Sequence, residues 1–193
     1  MQRLLTAIAF GLMVITPAVH AADVSAEVAA SRATTQEFMQ TLKQELQAAM
    51  QEGGPVNAVS VCNLTAPAIA STYSVRNGWE VGRTSLKLRN PANAPDAWEQ
   101  AVLVSFEERK RAGEDPATME YYEVVSEDGN NTLRYMKAIP TAPLCLVCHG
   151  QQLDSIVKTR IETLYPEDQA LGFEAGDIRG AFTISQPLPA AGE

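Results

Sequence analysis

The alternation of apolar and polar positions divides this chain into helices first and strands later. Residues 24–52 are rich in Ala, Gln and Glu, and Phe38, Leu42, Leu46 and Ala49 recur at spacings that place them on one helical face. Gly53-Gly54-Pro55 predicts the end of that helix, because glycine loosens it and proline suits the first turn of the next. A second helical stretch over 56–74 is expected to be split by Pro67. Residues 79–88 mix apolar and basic side chains and read as a strand running into a loop, and 90–95, with Pro91 and Pro95, read as a turn. Trp98, Val102 and Phe106 mark one face of a helix over 96–111. Two strand-like runs, 119–126 and 131–139, flank Asp128-Gly129, which is a hairpin signal; Pro140 and Pro143 end the second. A short helix is expected over 153–164. Ile178, Gly180, Phe182 and Ile184 alternate as a half-buried strand. This order predicts an α+β domain with helices on one side of an antiparallel sheet.

The first 21 residues do not belong to that pattern. Arg3 precedes an apolar run over 4–15, and Pro17-Ala18-Val19-His20-Ala21 places small residues at −3 and −1 of a cut before Ala22. This reads as a secretory signal, too short for a membrane span of ~20 apolar residues. The expected organisation is a signal peptide over 1–21, an N-terminal helix over 22–54 and one domain over 55–193. The expected location is the periplasm or the cell exterior, with no membrane insertion after cleavage. The length of 193 residues and the 46% hydrophobic content suit one globular domain. The net charge of −8 becomes more acidic when Arg3 is lost, which argues against nucleic acid or an anionic lipid surface as partner.

Of the two histidines, His20 leaves with the signal, so any site that needs a histidine pair is excluded. The remaining one closes Cys145-Leu146-Val147-Cys148-His149, a C-x-x-C-H motif of the kind that attaches c-type haem. Two thiols spaced in this way add to the two haem vinyl groups, and the following imidazole is held beneath the iron as an axial ligand. Two other chemistries use similar residues. A thiol–disulfide C-x-x-C belongs at a helix start within a βαβ unit, and no such unit surrounds this one. A zinc site of Cys62, Cys145, Cys148 and His149 would force adjacent Cys148 and His149 into one small tetrahedron. The motif therefore predicts one covalently bound haem c. Arg83, Lys87 and Arg89 cluster in an otherwise acidic chain and are candidate partners for the two haem propionates; the alternative is internal pairing with Glu80 and Glu99. Cys62 is left over as a lone thiol in an oxidising compartment, where burial or iron ligation would protect it. Met39, Met50, Met119, Met136 and Lys137 are the other candidates for a second axial ligand.

The segment Arg83-Thr84-Ser85 with Arg89-Asn90-Pro91, Asn93, Pro95, Trp98 and Glu99, followed by Lys137-Ala138-Ile139-Pro140 and Cys145–Gly150, resembles a family of exported c-type haem proteins with a PAS-like fold, catalogued largely as a domain of unknown function. The resemblance implies a single haem on an antiparallel sheet flanked by helices. A cyanobacterial member has His and Cys axial ligands, and Cys62, five residues before Pro67, matches the family's early helical cysteine. The resemblance thus implies His149 and Cys62 as the iron ligands. The expected function is electron transfer as a small redox carrier. A haem-based redox or gas sensor is the alternative; either would work with a separate redox or signalling protein. An enzyme of peroxidase type ranks below both, because the one remaining histidine is already used.

Overall fold

The computed structural model describes residues 23–189, so the export-signal reading lies outside the described residues. The first helix, α1 (Ser25–Ser60), continues past the expected stop but leaves helical geometry at Gly54, where φ is 67° and ψ is −163°. Only glycine reaches that left-handed φ without steric cost. Pro55 follows as the helix resumes, and Asn57 donates from Nδ2 to the Ala49 carbonyl across the break (3.4 Å). The chain then widens into a π turn, Val61–Thr65, before α2 (Ala66–Asn77). Pro67 does not split the helix as expected. It sits in the first turn of α2, where its missing N–H costs little, and the irregularity falls one turn earlier as the π turn.

β1 (Glu80–Thr84) is followed by α3 (Ala97–Arg111), whose Asp96 and Glu99 form a reciprocal capping box. The hairpin strands β2 (Glu120–Glu127) and β3 (Asn130–Pro140) meet at Asp128 and Gly129, both at positive φ as a tight hairpin turn requires. A single 3-10 turn at Pro143–Cys145 leads into α4 (Leu146–His149); α5 (Ser155–Leu164) and β4 (Ile178–Pro187) complete the order. The sheet is antiparallel throughout, in the order β1-β4-β3-β2, so the last strand lies inside the sheet.

Helices cover both faces of the sheet, not one as expected. Leu133 and Tyr135 of β3 join Phe38, Ile69 and Tyr73 of α1 and α2. Met136 and Ala138 join Val102, Leu103 and Phe106 of α3 on the other side. Consecutive residues Tyr135 and Met136 point to opposite faces of a strand, so burying both requires a cover on each side. Trp79 and Trp98 serve these two cores as packing residues.

Gly180 joins the fold to the cleft described below. A Cβ there would lie 2.3 Å from the Thr84 carbonyl oxygen on neighbouring β1. Gly180→Ala is therefore expected to force β1 and β4 apart and destabilise the domain by about 1–3 kcal/mol. A shift of the urea midpoint at constant slope would register it; an unchanged midpoint would show that the strands part freely.

Candidate functional site

The C-terminal part of α1, the π turn, the loop after β1 and the segment around α4 enclose a cleft walled by Leu42, Leu46, Met50, Val59, Leu88 and Leu144. Cys62, Cys145, Cys148 and His149 all line it, and all three thiols are free and half-buried. The 3-10 turn running into the single turn of α4 explains the placement: residues three apart on a helix share a side, so Cys145 and Cys148 face the cleft together. Gly150 ends α4 because its backbone passes so close to Leu146 that a Cβ would sit 2.6 Å from that residue's carbonyl oxygen. Burial, the largest cause, and nearby Cys62 push the Cys148 thiol up to about 11.

His149 is held from the far side of the cleft by the loop before β4. Its Nδ1 lies 2.8 Å from the Ala170 carbonyl oxygen. A carbonyl only accepts, so the hydrogen is on Nδ1 and the lone pair on Nε2. The Phe173 N–H donates to the His149 carbonyl (3.0 Å), and the Phe173 ring meets the imidazole edge-on at 6.1 Å. Burial first, then the cations of Arg179 and Arg89, hold the imidazole well below its ordinary range, so it is neutral.

The three basic residues singled out from sequence separate into three roles. Arg89 is buried and turned into the protein: Nε and Nη2 donate to the two carboxylate oxygens of Asp168 (3.1 and 3.0 Å), and Nη2 also donates to the carbonyls of Cys148 (2.6 Å) and Ala170 (3.1 Å). Nε and Nη2 are thus engaged by the loop that orients His149, while Nη1 has no partner among the described residues and Arg89 still lines the cleft. Lys87 donates to the Leu171 carbonyl (3.3 Å) with its ammonium 5.1 Å from the centre of the Phe173 ring, outside the residues that line the cleft. Arg83 does line the cleft, and burial pushes its guanidinium down from its ordinary range. The alternative partner Glu99 is occupied by Thr183 Oγ1 (2.7 Å), the Asp96 N–H (3.0 Å) and Arg134 (3.6 Å).

Sequence reasoning missed Arg179. Its Nε donates toward His149 Nε2 (3.4 Å), and Nη1 donates to Ser85 Oγ (3.1 Å) and the Lys87 carbonyl (3.2 Å). Burial, then the cations of Arg89 and Arg83, lower it to about 10. Nothing in the local sequence separates Arg179 from an ordinary strand-end arginine. Tyr165, buried at the end of α5, also lines the cleft and was missed.

Among the second-ligand candidates, Cys62 and Met50 reach the cleft. Met119 and Met136 are sealed in the core beneath α3. Lys137 donates to the Ala117 carbonyl (2.7 Å), and Met39 is exposed. No group of three or more His, Cys, Asp or Glu side chains converges on a metal position among the described residues, so the zinc arrangement of Cys62, Cys145, Cys148 and His149 is not formed. The antiparallel sheet likewise provides no βαβ setting for a redox C-x-x-C.

The sheet, its helices and this cleft define an α+β domain in which one short helical turn presents two thiols and an oriented imidazole to an apolar ligand space. The chain belongs to the Tll0287-like family: the family model described as "Tll0287-like: Tll0287" matches residues 16–187. The crystal structure of the cyanobacterial heme-protein Tll0287 shares the fold, with a TM-score of 0.65 and 23% sequence identity over 86% of this chain and 98% of that one. No curated protein matches the sequence significantly.

Proposed function

We propose that this chain carries one covalent haem c in the cleft and acts as an exported electron-transfer protein. Cys145 and Cys148 would hold the vinyl carbons as thioethers, with His149 Nε2 as proximal iron ligand and Cys62 as distal ligand. The observation that carries the reading is the Nδ1 hydrogen bond to Ala170, which puts the lone pair on Nε2 beside two thiols on an apolar cleft, where its one contact is the long 3.4 Å bond from Arg179 Nε that iron would replace. The donor set fits: thiols for the vinyl groups, a neutral imidazole for iron, and aliphatic walls for the macrocycle. When bound, haem supplies a one-electron couple. The chain's own residues orient the imidazole, exclude water through Leu42, Leu46 and Val59, and fix the charge around the site. We assign no enzymatic activity, because with His149 as iron ligand the described residues hold no second imidazole for acid–base work. The acidic surface suits a basic redox partner reached by diffusion, in the periplasm or outside the cell.

A sensing role is the second reading, and the π turn favours it. Cys62 sits in an irregular turn joining two helices, so a change at its sulfur would be felt by both. Expression with a c-type maturation system should give a protein that stays coloured through denaturing acid–acetone extraction; complete extraction with an apo-chain mass would refute the assignment. His149→Ala should abolish normal loading. Redox titration under CO and NO separates the roles. A carrier keeps its spectrum under both gases, whereas a sensor takes them up when reduced.

A further inference from the structure

We propose that Arg83 and Arg179 form a two-point clamp for a ligand bearing two carboxylates, which, if the haem reading above holds, are the two propionates. Buried cations are ordinarily paired, because an unpaired charge out of water is costly. Arg32, Arg76, Arg89, Arg109 and Arg134 each reach a carboxylate within ion-pair distance. Arg83 and Arg179, both half-buried, reach none among the described residues and line the cleft; half-buried Arg160 also reaches none, but it donates to Ser60 Oγ (3.0 Å) outside the cleft lining.

Their strands are neighbours, with Arg83 opposite Phe182 in the β1–β4 register; plain alternation would send Arg179 to the other face, but the β3–β4 pairing skips it at a bulge between Gly180 and Ile178, and both side chains line the cleft. Arg179 is held from behind by Ser85 Oγ and the Lys87 carbonyl, both through Nη1, and its Nη2 makes no hydrogen bond among the described residues. Arg83 has its guanidinium carbon 5.7 Å from the centre of the Phe38 ring and makes no hydrogen bond to a described residue, so its whole fork is available. Two planar forks on one wall match a dicarboxylate better than a single anion. Placing a carboxylate at each would neutralise the two charges that now oppose one another. It would also draw Arg179 Nε off His149 Nε2, the nitrogen that the haem reading gives to iron.

The test uses the covalently loaded holoprotein with isotope-labelled propionate carboxylates. Infrared difference spectra and midpoint potentials across pH would be recorded for Arg83→Gln, Arg179→Gln, Arg179→Lys and Lys87→Gln. Each glutamine variant at the clamp should shift a labelled carboxylate band, lower the potential and introduce a pH-dependent step near neutrality. Arg179→Lys should restore the potential but not the band position, because lysine supplies charge without the fork, and Lys87→Gln should leave the bands alone. Variants that remain covalently loaded but show unmoved bands overturn the clamp and leave the haem assignment standing, even if their potentials fall. A wild-type chain that loses its pigment on denaturation overturns both.

Discussion

Asp168→Asn should lower the melting temperature by roughly 6–20 °C, the largest stability effect expected of any single charge removal here. Arg89 and Asp168 form a bidentate pair in which both side chains are 6% exposed. Removing one partner leaves a buried charge unmatched, which costs about 3–5 kcal/mol, and in a domain of this size each kcal/mol moves the melting point by about 2–4 °C. The pair also organises the loop behind His149. Asp168 Oδ1 accepts from the Ala170 N–H (2.9 Å), Arg89 donates to the Ala170 carbonyl (3.1 Å), and that carbonyl meets His149 Nδ1. Haem loading should therefore fall along with stability. Replacing Arg89 and Asp168 together by apolar residues of similar volume should restore most of the stability, because the cost lies in the unmatched charge. Calorimetry of the three proteins decides the matter. A single variant within about 1 kcal/mol of the wild type would mean that water reaches the pair.

Cys62→Ala should change the low-temperature EPR spectrum of the ferric protein, remove the sulfur-to-iron charge-transfer band and raise the midpoint potential. A thiolate on iron adds negative charge and favours the ferric state, so its removal favours reduction. Met50 is the other sulfur on the cleft, and Met50→Ala should leave all three readings in place. Met136 was an equal candidate in the sequence, but it is fully buried beneath α3. Met136→Ala should cost about 2–5 kcal/mol of stability and leave the ferric spectra unchanged. The thiolate assignment fails if the spectra ignore Cys62 and follow Met50.

Local pattern carried the elements whose cause is local. Trp98, Val102 and Phe106 mark one face of α3, Asp96 caps it, and Asp128-Gly129 turns the hairpin, each through chemistry contained within a few residues. The C-x-x-C-H turn was legible for the same reason. What escaped was set by distant contacts. The acceptor that fixes the His149 tautomer is a backbone carbonyl at Ala170, and every residue has one, so no side chain announces it. Arg83 and Arg89 are similar in sequence; only Asp168, 79 residues beyond Arg89, consumes the second and leaves the first. The π turn arises where two helices meet over the cleft, and hydrophobic periodicity does not register one extra residue in a turn.

The position of β4 has a consequence for assembly order. It is the last strand in the chain, yet it lies between β1 and β3 and supplies every strand pairing that joins β1 to the hairpin. In the proposed export, N-terminus first, the chain would present Cys145, Cys148 and His149 before residues 178–187 arrive. Until then β1 has no strand partner, and the loop that orients His149 is not anchored. On the proposed covalent haem, the thiols would remain open to attachment for as long as the final strand is in transit, and its insertion would then close the sheet around the attached group. Slowing or delaying that last strand should lengthen the interval for loading, and a rearranged chain that starts with β4 should shorten it.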